Sequence, residues 1–127
     1  MITESDVKNI LPPDSWIGKY VKYCSTQTTS PLAYHLGVGL TLLCASAPTN
    51  YAMRWFGKVP CNMFALLAGR SGEDQKSTAL SLGEEILDMA NHTLIGEQPA
   101  SAEGLINSLA EQNKQTIWYS EFGQFLS

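Results

Sequence analysis

Residues 66–80 read LLAGRSGEDQKSTAL, an apolar run that breaks into a glycine-containing polar turn and resumes at a Lys-Ser-Thr step. A turn that joins a buried strand to a helix in this way can cradle phosphate. Its backbone N–H groups point inward at anionic oxygens, the helix adds its positive N-terminal end, a lysine reaches the β/γ-phosphates and a hydroxyl meets magnesium. Each part has a candidate: backbone donors across residues 69–75, including Gly69, Ser71, Gly72 and Gln75, the charge of Lys76, and the hydroxyls of Ser77 and Thr78, with Ser77 the metal ligand. The common pattern G-x-x-x-x-G-K-[ST] puts glycine before the lysine, whereas this chain has Gln75 there, and Glu73 and Asp74 add negative charge beside the turn. The alternative is an ordinary strand-to-helix turn that uses Gly, Asp and Ser for their local backbone preferences.

Working outward, the run at residues 62–69, NMFALLAG, is apolar at successive positions and suits a central parallel strand covered on both faces. Before it, YAMRWF at 51–56 has strand-forming aromatics, and GKVP reads as the connecting turn. After it, the spacing predicts a helix from Lys76 to about Ala90, a short strand in HTLIG at 92–96, a helix over 101–112 opened by Ser101, and a short strand in TIWY at 116–119. Such alternation predicts an α/β fold: a P-loop NTPase-like parallel sheet with right-handed crossovers. Two or three strands make that sheet incomplete against the usual count of about four to six, so the chain reads as the front part of a longer protein. Glu121, just past the last strand, is the expected catalytic carboxylate, placed to polarise water or assist the metal.

The first 50 residues read as an N-terminal helical extension, and residues 51–127 as the partial P-loop domain. SWIGKYVKYC at 15–24 spaces Trp16, Ile17, Tyr20, Val21 and Cys24 at helical intervals behind Asp14 or Ser15 as N-cap. SPLAYHLGVGLTLLCASA, at 30–47, is apolar on nearly every face until Pro48 stops it, the pattern of a helix packed on several sides. Trp16, Tyr20, Tyr23 and Tyr34 are expected to serve helix contacts, not base stacking, and His35 to be a hydrogen-bonded core residue.

Composition narrows the function classes. The chain has 127 residues, 44% hydrophobic and 16% charged, enough for a real core. A net charge of −4 argues against a free-standing binder of the nucleic-acid backbone. Cys24, Cys44 and Cys61 are widely spaced and ungrouped with His35 or His92, which speaks against a zinc site or a disulfide framework and fits a reducing, cytoplasmic setting. The N-terminal MITESDVKNILPPDSW lacks the basic-then-apolar order of a secretory signal, and the apolar stretch at 36–47 is shorter than the roughly 20 residues that span a bilayer. No membrane partner is expected.

Four segments together, YVKYCSTQTTSPLAYHLGVGLTLLCASA, NMFALLAGRSGEDQKSTAL, SAEGLINSLAEQ and IWYSEFGQFL, resemble in order and spacing a phage- and mobile-element-type family of P-loop proteins. It is a widespread domain of unassigned function often found beside primase domains. Its loop commonly runs G-x-S-x-x-x-[RQ]-K-S-T, which Gly69, Ser71, Gln75, Lys76, Ser77 and Thr78 match, while Ser120 stands where the family usually has Asp. The resemblance implies ATP and Mg2+ as cofactors, nucleotide as the immediate ligand, and a helicase-like role in phage or plasmid DNA replication, with DNA contacted through a longer assembly and self-association as a further expectation. Rival classes are a non-catalytic nucleotide- or partner-binding remnant and a structural adaptor.

Overall fold

The computed structural model describes residues 3–48, 51–54, 57–70 and 73–120. Its elements are helices α1 (Glu4–Ile10), α2 (Trp16–Gln27) and α3 (Leu32–Ser46), strands β1 (Ala52–Arg54) and β2 (Lys58–Pro60), helix α4 (Lys76–Asn91) with a 3-10 turn at His92–Leu94, and helix α5 (Ala102–Glu111).

Local chemistry sets the helix starts. Thr3 caps α1 in a reciprocal box with Asp6, whose carboxylate accepts the Thr3 N–H at 2.8 Å. Ser15 caps α2 by accepting the Gly18 N–H at 3.1 Å, and Ser101 does the same for α5 through Gly104 at 3.1 Å. Pro31 precedes α3, where its fixed φ suits a helix entry. Helix α1 was not expected from the sequence, although its Thr-x-x-Asp opening is a legible cap.

The core is helical. Val7 of α1, Tyr20, Val21 and Cys24 of α2, Leu32, Val38 and Leu42 of α3 and Leu87 of α4 form one buried cluster. Burial of each large aliphatic side chain there contributes about 1.5–3 kcal/mol. Helices α2 and α3 approach closely at Gly39, where an added Cβ would run into the side chains of Ile17 and Tyr20. Helix α4 then packs on α3, with Ala79, Gly83 and Leu87 buried. Trp16 and Tyr20 stack at 5.1 Å between centroids as a pair within α2.

The expected α/β fold with a parallel sheet is not what forms. The one sheet among the described residues is an antiparallel pair, β1 with β2, in which Ala52 faces Pro60 and Arg54 faces Lys58. Parallel pairing is limited to a single bridge between Ile95 and Thr116, closed by Thr116 N–H to Leu94 O at 2.7 Å and Gly96 N–H to Thr116 O at 3.0 Å. The supposed central strand at 62–69 has no strand partner among the described residues, and Phe64 and Leu66 on it are 99% and 77% exposed. An apolar run becomes a central strand only when neighbours take its backbone groups on both edges.

Residues 62–69 are anchored instead along α3. Met63 Sδ lies 4.0 Å from Cys44 Sγ, Leu67 reaches Gly37, and the Ala68 carbonyl accepts from the Tyr34 hydroxyl at 2.8 Å. Partners falling from 44 to 37 to 34 while the segment climbs from 63 to 68 mean that it runs antiparallel to α3. It delivers residue 69 to the N-terminal end of that helix.

Candidate functional site

The turn between residues 68 and 76 is held from two sides. On one, Tyr34 is buried and its hydroxyl lies 3.4 Å from Asp74 Oδ2 besides donating to Ala68 O. Burial, reinforced by the Asp74 carboxylate, raises the Tyr34 pKa and keeps the phenol protonated as a donor. On the other, the buried Ser30 hydroxyl donates to the Gln75 carbonyl at 3.0 Å. Gly69 packs so tightly beneath these groups that a Cβ there would collide with the Tyr34 hydroxyl and the Asp74 carboxylate.

Within the turn, the Lys76 ammonium donates to the carbonyl oxygens of Gly69 at 2.8 Å and Arg70 at 2.9 Å. Lys76 is the first residue of α4, so its charge is folded back over the turn at the helix's N-terminal end. Gln75 takes the left-handed conformation, φ 46° and ψ 42°, the single non-glycine residue with positive φ among those described. This is the backbone setting for which glycine is the usual residue, and it falls at the position where the common phosphate-loop pattern has glycine. Gln75 thus adopts, with a side chain, the conformation that a glycine at that position would take without strain.

Asp74 Oδ2 accepts the Arg70 N–H at 2.6 Å, so a carboxylate already occupies one inward-facing donor of the turn. The Arg70 guanidinium turns outward to Glu73 at 3.1 Å in an exposed pair of little energetic weight.

Two clefts flank the first turn of α4, because consecutive helical residues point about 100° apart. Ser77 opens onto a cleft of about 520 Å³ that also has Glu84, His92, Glu97, Trp118 and Ser120 in its wall. The Trp118 indole N–H is buried there without a partner among the described residues. Thr78 opens onto a second cleft of about 390 Å³, shared with Gln75 and with residues 25–29 in the last turn of α2 and just after it.

The sequence-derived site residues are thus brought together in part. Gly69, Gln75, Lys76, Ser77 and Thr78 cluster at the start of α4, and Ser77 and Ser120 face the same cleft. Ser71, Gly72 and Glu121 lie outside the described residues. Sequence reasoning missed Ser30 and the anchoring role of Tyr34. Both act across more than thirty positions of chain, |i−j| being 45 for Ser30 with Gln75 and 34 for Tyr34 with Ala68, and no local pattern signals them.

Among the described residues no group of three or more His, Cys, Asp or Glu side chains is arranged to hold a metal ion. A hydroxyl such as that of Ser77 still fits a magnesium ion held chiefly by phosphate oxygens and water. No helix among them is long and apolar enough to cross a membrane. No family model matches this chain, and no curated protein or solved structure matches it.

Proposed function

We propose that residues 69–78 bind the polyphosphate of a nucleoside triphosphate, with ATP and Mg2+ as the expected ligands. The observation that carries this reading is the posture of Lys76. Its ammonium is held 2.8–2.9 Å from two turn carbonyls at the head of a helix, directly after a left-handed residue. A lysine so placed exchanges carbonyl partners for phosphate oxygens without reorganising the helix, and the N-terminal N–H groups of α4 add favourable partial charge. When bound, Mg2+ would neutralise phosphate charge and take the Ser77 hydroxyl as a protein ligand. Lys76 would hold the β/γ-phosphates, and Tyr34 and Ser30 would keep the turn in shape.

Binding rather than rapid hydrolysis is the core of the proposal. Arg54 and Arg70 are the chain's only arginines, and Arg70 is paired outward with Glu73. The replication setting, in phage or plasmid DNA, comes from the motif resemblance alone. Glu121 would be the carboxylate acting on water there.

Titration of the chain and of Lys76→Ala with a fluorescent ATP analogue plus Mg2+ tests the proposal. Loss of binding by a variant that keeps the parent's thermal transition is expected. Equal affinity in the two proteins would end the phosphate-turn reading.

A further inference from the structure

We infer that the cleft between the C-terminal end of α2 and the start of α4, walled by residues 25–29 with Gln75 and Thr78, receives the nucleoside half of the bound nucleotide, its ribose hydroxyls donating to the last turn of α2. The inference rests on the phosphate-turn reading and adds the side from which the nucleotide enters.

The two clefts beside the first turn of α4 differ in chemistry. The Ser77 cleft has Glu84 and Glu97 in its wall, with His92 beside them. Carboxylates there favour cations and water and repel an anionic phosphate tail that lacks a metal. The Thr78 cleft has only hydroxyl and carboxamide side chains and no charged one. A polyphosphate lying over Lys76 has two ends, one anionic and metal-bound, the other a neutral sugar and base. With Ser77 on the metal side, the neutral end falls to the uncharged cleft on the Thr78 side. That cleft is an open surface groove with about 390 Å³ of space.

The last turn of α2 is arranged as an acceptor surface. The Ser25 hydroxyl proton goes to the Lys22 carbonyl at 2.7 Å and the Thr26 hydroxyl proton to the Tyr23 carbonyl at 2.7 Å. Ser25 Oγ therefore keeps its lone pairs as acceptors, and Thr26 Oγ1 keeps one beyond the bond it accepts from Gln27. The Gln27 amide donates to Thr26 Oγ1 at 3.1 Å, which leaves the Gln27 carbonyl oxygen as a further acceptor. Ribose hydroxyls are donors of matching polarity. The wall is also fixed relative to the turn: Thr28 Oγ1 is 3.0 Å from His35 Nε2 and accepts the Ser30 N–H at 3.2 Å, and Ser30 in turn holds the Gln75 carbonyl at 3.0 Å. One hydrogen-bonded chain thus connects the nucleoside cleft to the phosphate turn.

The experiment compares inorganic tripolyphosphate with ATP, each with Mg2+, by calorimetric titration of the full chain, of Gln27→Ala, of Thr26→Val and of Lys76→Ala. Gln27 and Thr26 are exposed at the end of α2, so both substitutions leave the core intact. ATP is expected to bind the parent roughly tenfold or more tighter than tripolyphosphate. Each α2 variant should lose roughly threefold to tenfold in ATP affinity with tripolyphosphate affinity unchanged, while Lys76→Ala loses both ligands. ATP binding no tighter than tripolyphosphate, or α2 variants with the parent's ATP affinity, would overturn the nucleoside cleft and leave the phosphate turn standing. Failure of the parent to bind either probe would overturn the phosphate turn and the cleft with it.

Discussion

The Ser30 hydroxyl donates to the Gln75 carbonyl at 3.0 Å, joining the linker before α3 to the one left-handed non-glycine residue among those described. A left-handed conformation costs a side-chain-bearing residue roughly 1–2 kcal/mol, so the bond to Ser30 holds a conformation that the chain would not choose locally. The strain sits one residue ahead of Lys76, where the direction of the peptide decides whether the ammonium folds back over Gly69.

Substitution at position 75 should separate backbone strain from side-chain chemistry. Gln75→Gly removes the steric cost and is expected to keep or raise thermal stability and to keep nucleotide affinity. Gln75→Val places a β-branched residue at positive φ and should lower stability by about 1–2 kcal/mol. Urea denaturation of the two variants measures the difference, and equal stability would mean that Gln75 is not left-handed in solution.

If the turn binds phosphate as proposed, Asp74 makes it less receptive than its geometry allows. Its carboxylate accepts the Arg70 N–H at 2.6 Å and lies 3.4 Å from the Tyr34 hydroxyl. Asp74→Asn keeps an acceptor oxygen for the Arg70 N–H while removing a negative charge beside the proposed phosphate site. ATP affinity should rise, by roughly threefold to tenfold at low salt, with the gain shrinking as salt screens the charge. An unchanged or weaker affinity at every ionic strength would show that phosphate does not approach Asp74.

Tyr34→Phe deletes the donor to the Ala68 carbonyl while keeping the aromatic ring in place. The loss is expected to be about 1 kcal/mol in stability, with a larger proportional loss of nucleotide binding because residues 68–69 would no longer be fixed against α3. A titration showing full affinity in a destabilised variant would assign Tyr34 to the core alone.

Much of the helical framework was legible from residue spacing and caps. The pattern of Trp16, Tyr20, Val21 and Cys24 and the Ser15 cap give α2, and the all-round apolar stretch between Pro31 and Pro48 gives α3. The start of α4 at Lys76 also follows from the sequence. The parallel sheet did not, because the run at 62–69 looks the same whether its partners are strands or one helix. Apolarity says that side chains can be buried and is silent about which neighbours take the backbone groups. The Gly39 contact with α2 and the Tyr34–Ala68 bond, which decide the outcome, are long-range facts. At the candidate site the grouping of Gly69, Gln75, Lys76, Ser77 and Thr78 follows from their nearness in sequence, whereas the left-handed backbone of Gln75 is visible only in its angles.

Hydrolysis offers a further check. In phosphoryl-transfer enzymes an arginine that neutralises the transferred group is worth about 10³ to 10⁵ in rate, and the guanidinium of Arg70 is directed to Glu73 at 3.1 Å. The chain alone is expected to bind ATP yet release phosphate at a rate close to background. Rapid turnover in a phosphate-release assay, abolished by Lys76→Ala, would show that another group supplies that charge.

The last prediction concerns His35, which is fully buried in α3 with Nε2 3.0 Å from Thr28 Oγ1 and Nδ1 without a partner among the described residues. Burial disfavours the imidazolium and lowers the folded-state pKa below the ordinary value of 6.5. In the unfolded chain the same imidazole takes up a proton near its ordinary pKa, about 6.5. Between the lowered folded value and that one, the unfolded state binds more protons than the folded state, so stability must fall as pH falls through the window and be fully present above it. Asp6, whose pKa is lowered by its hydrogen bonds to Thr3, acts in the same direction but only below the ordinary carboxylate value of 3.8. Urea unfolding between about pH 7.5 and 5.5 should therefore show a loss of stability toward acid that is due chiefly to His35. His35→Gln is expected to be less stable at neutral pH, because the substitution disturbs a packed site, but to show a flatter dependence on pH across the same window. A slope identical to the parent's would mean that the imidazole is accessible to protons in the folded chain, and that the hydrogen-bonded link from His35 through Thr28 and Ser30 to the turn at Gln75 is open to water.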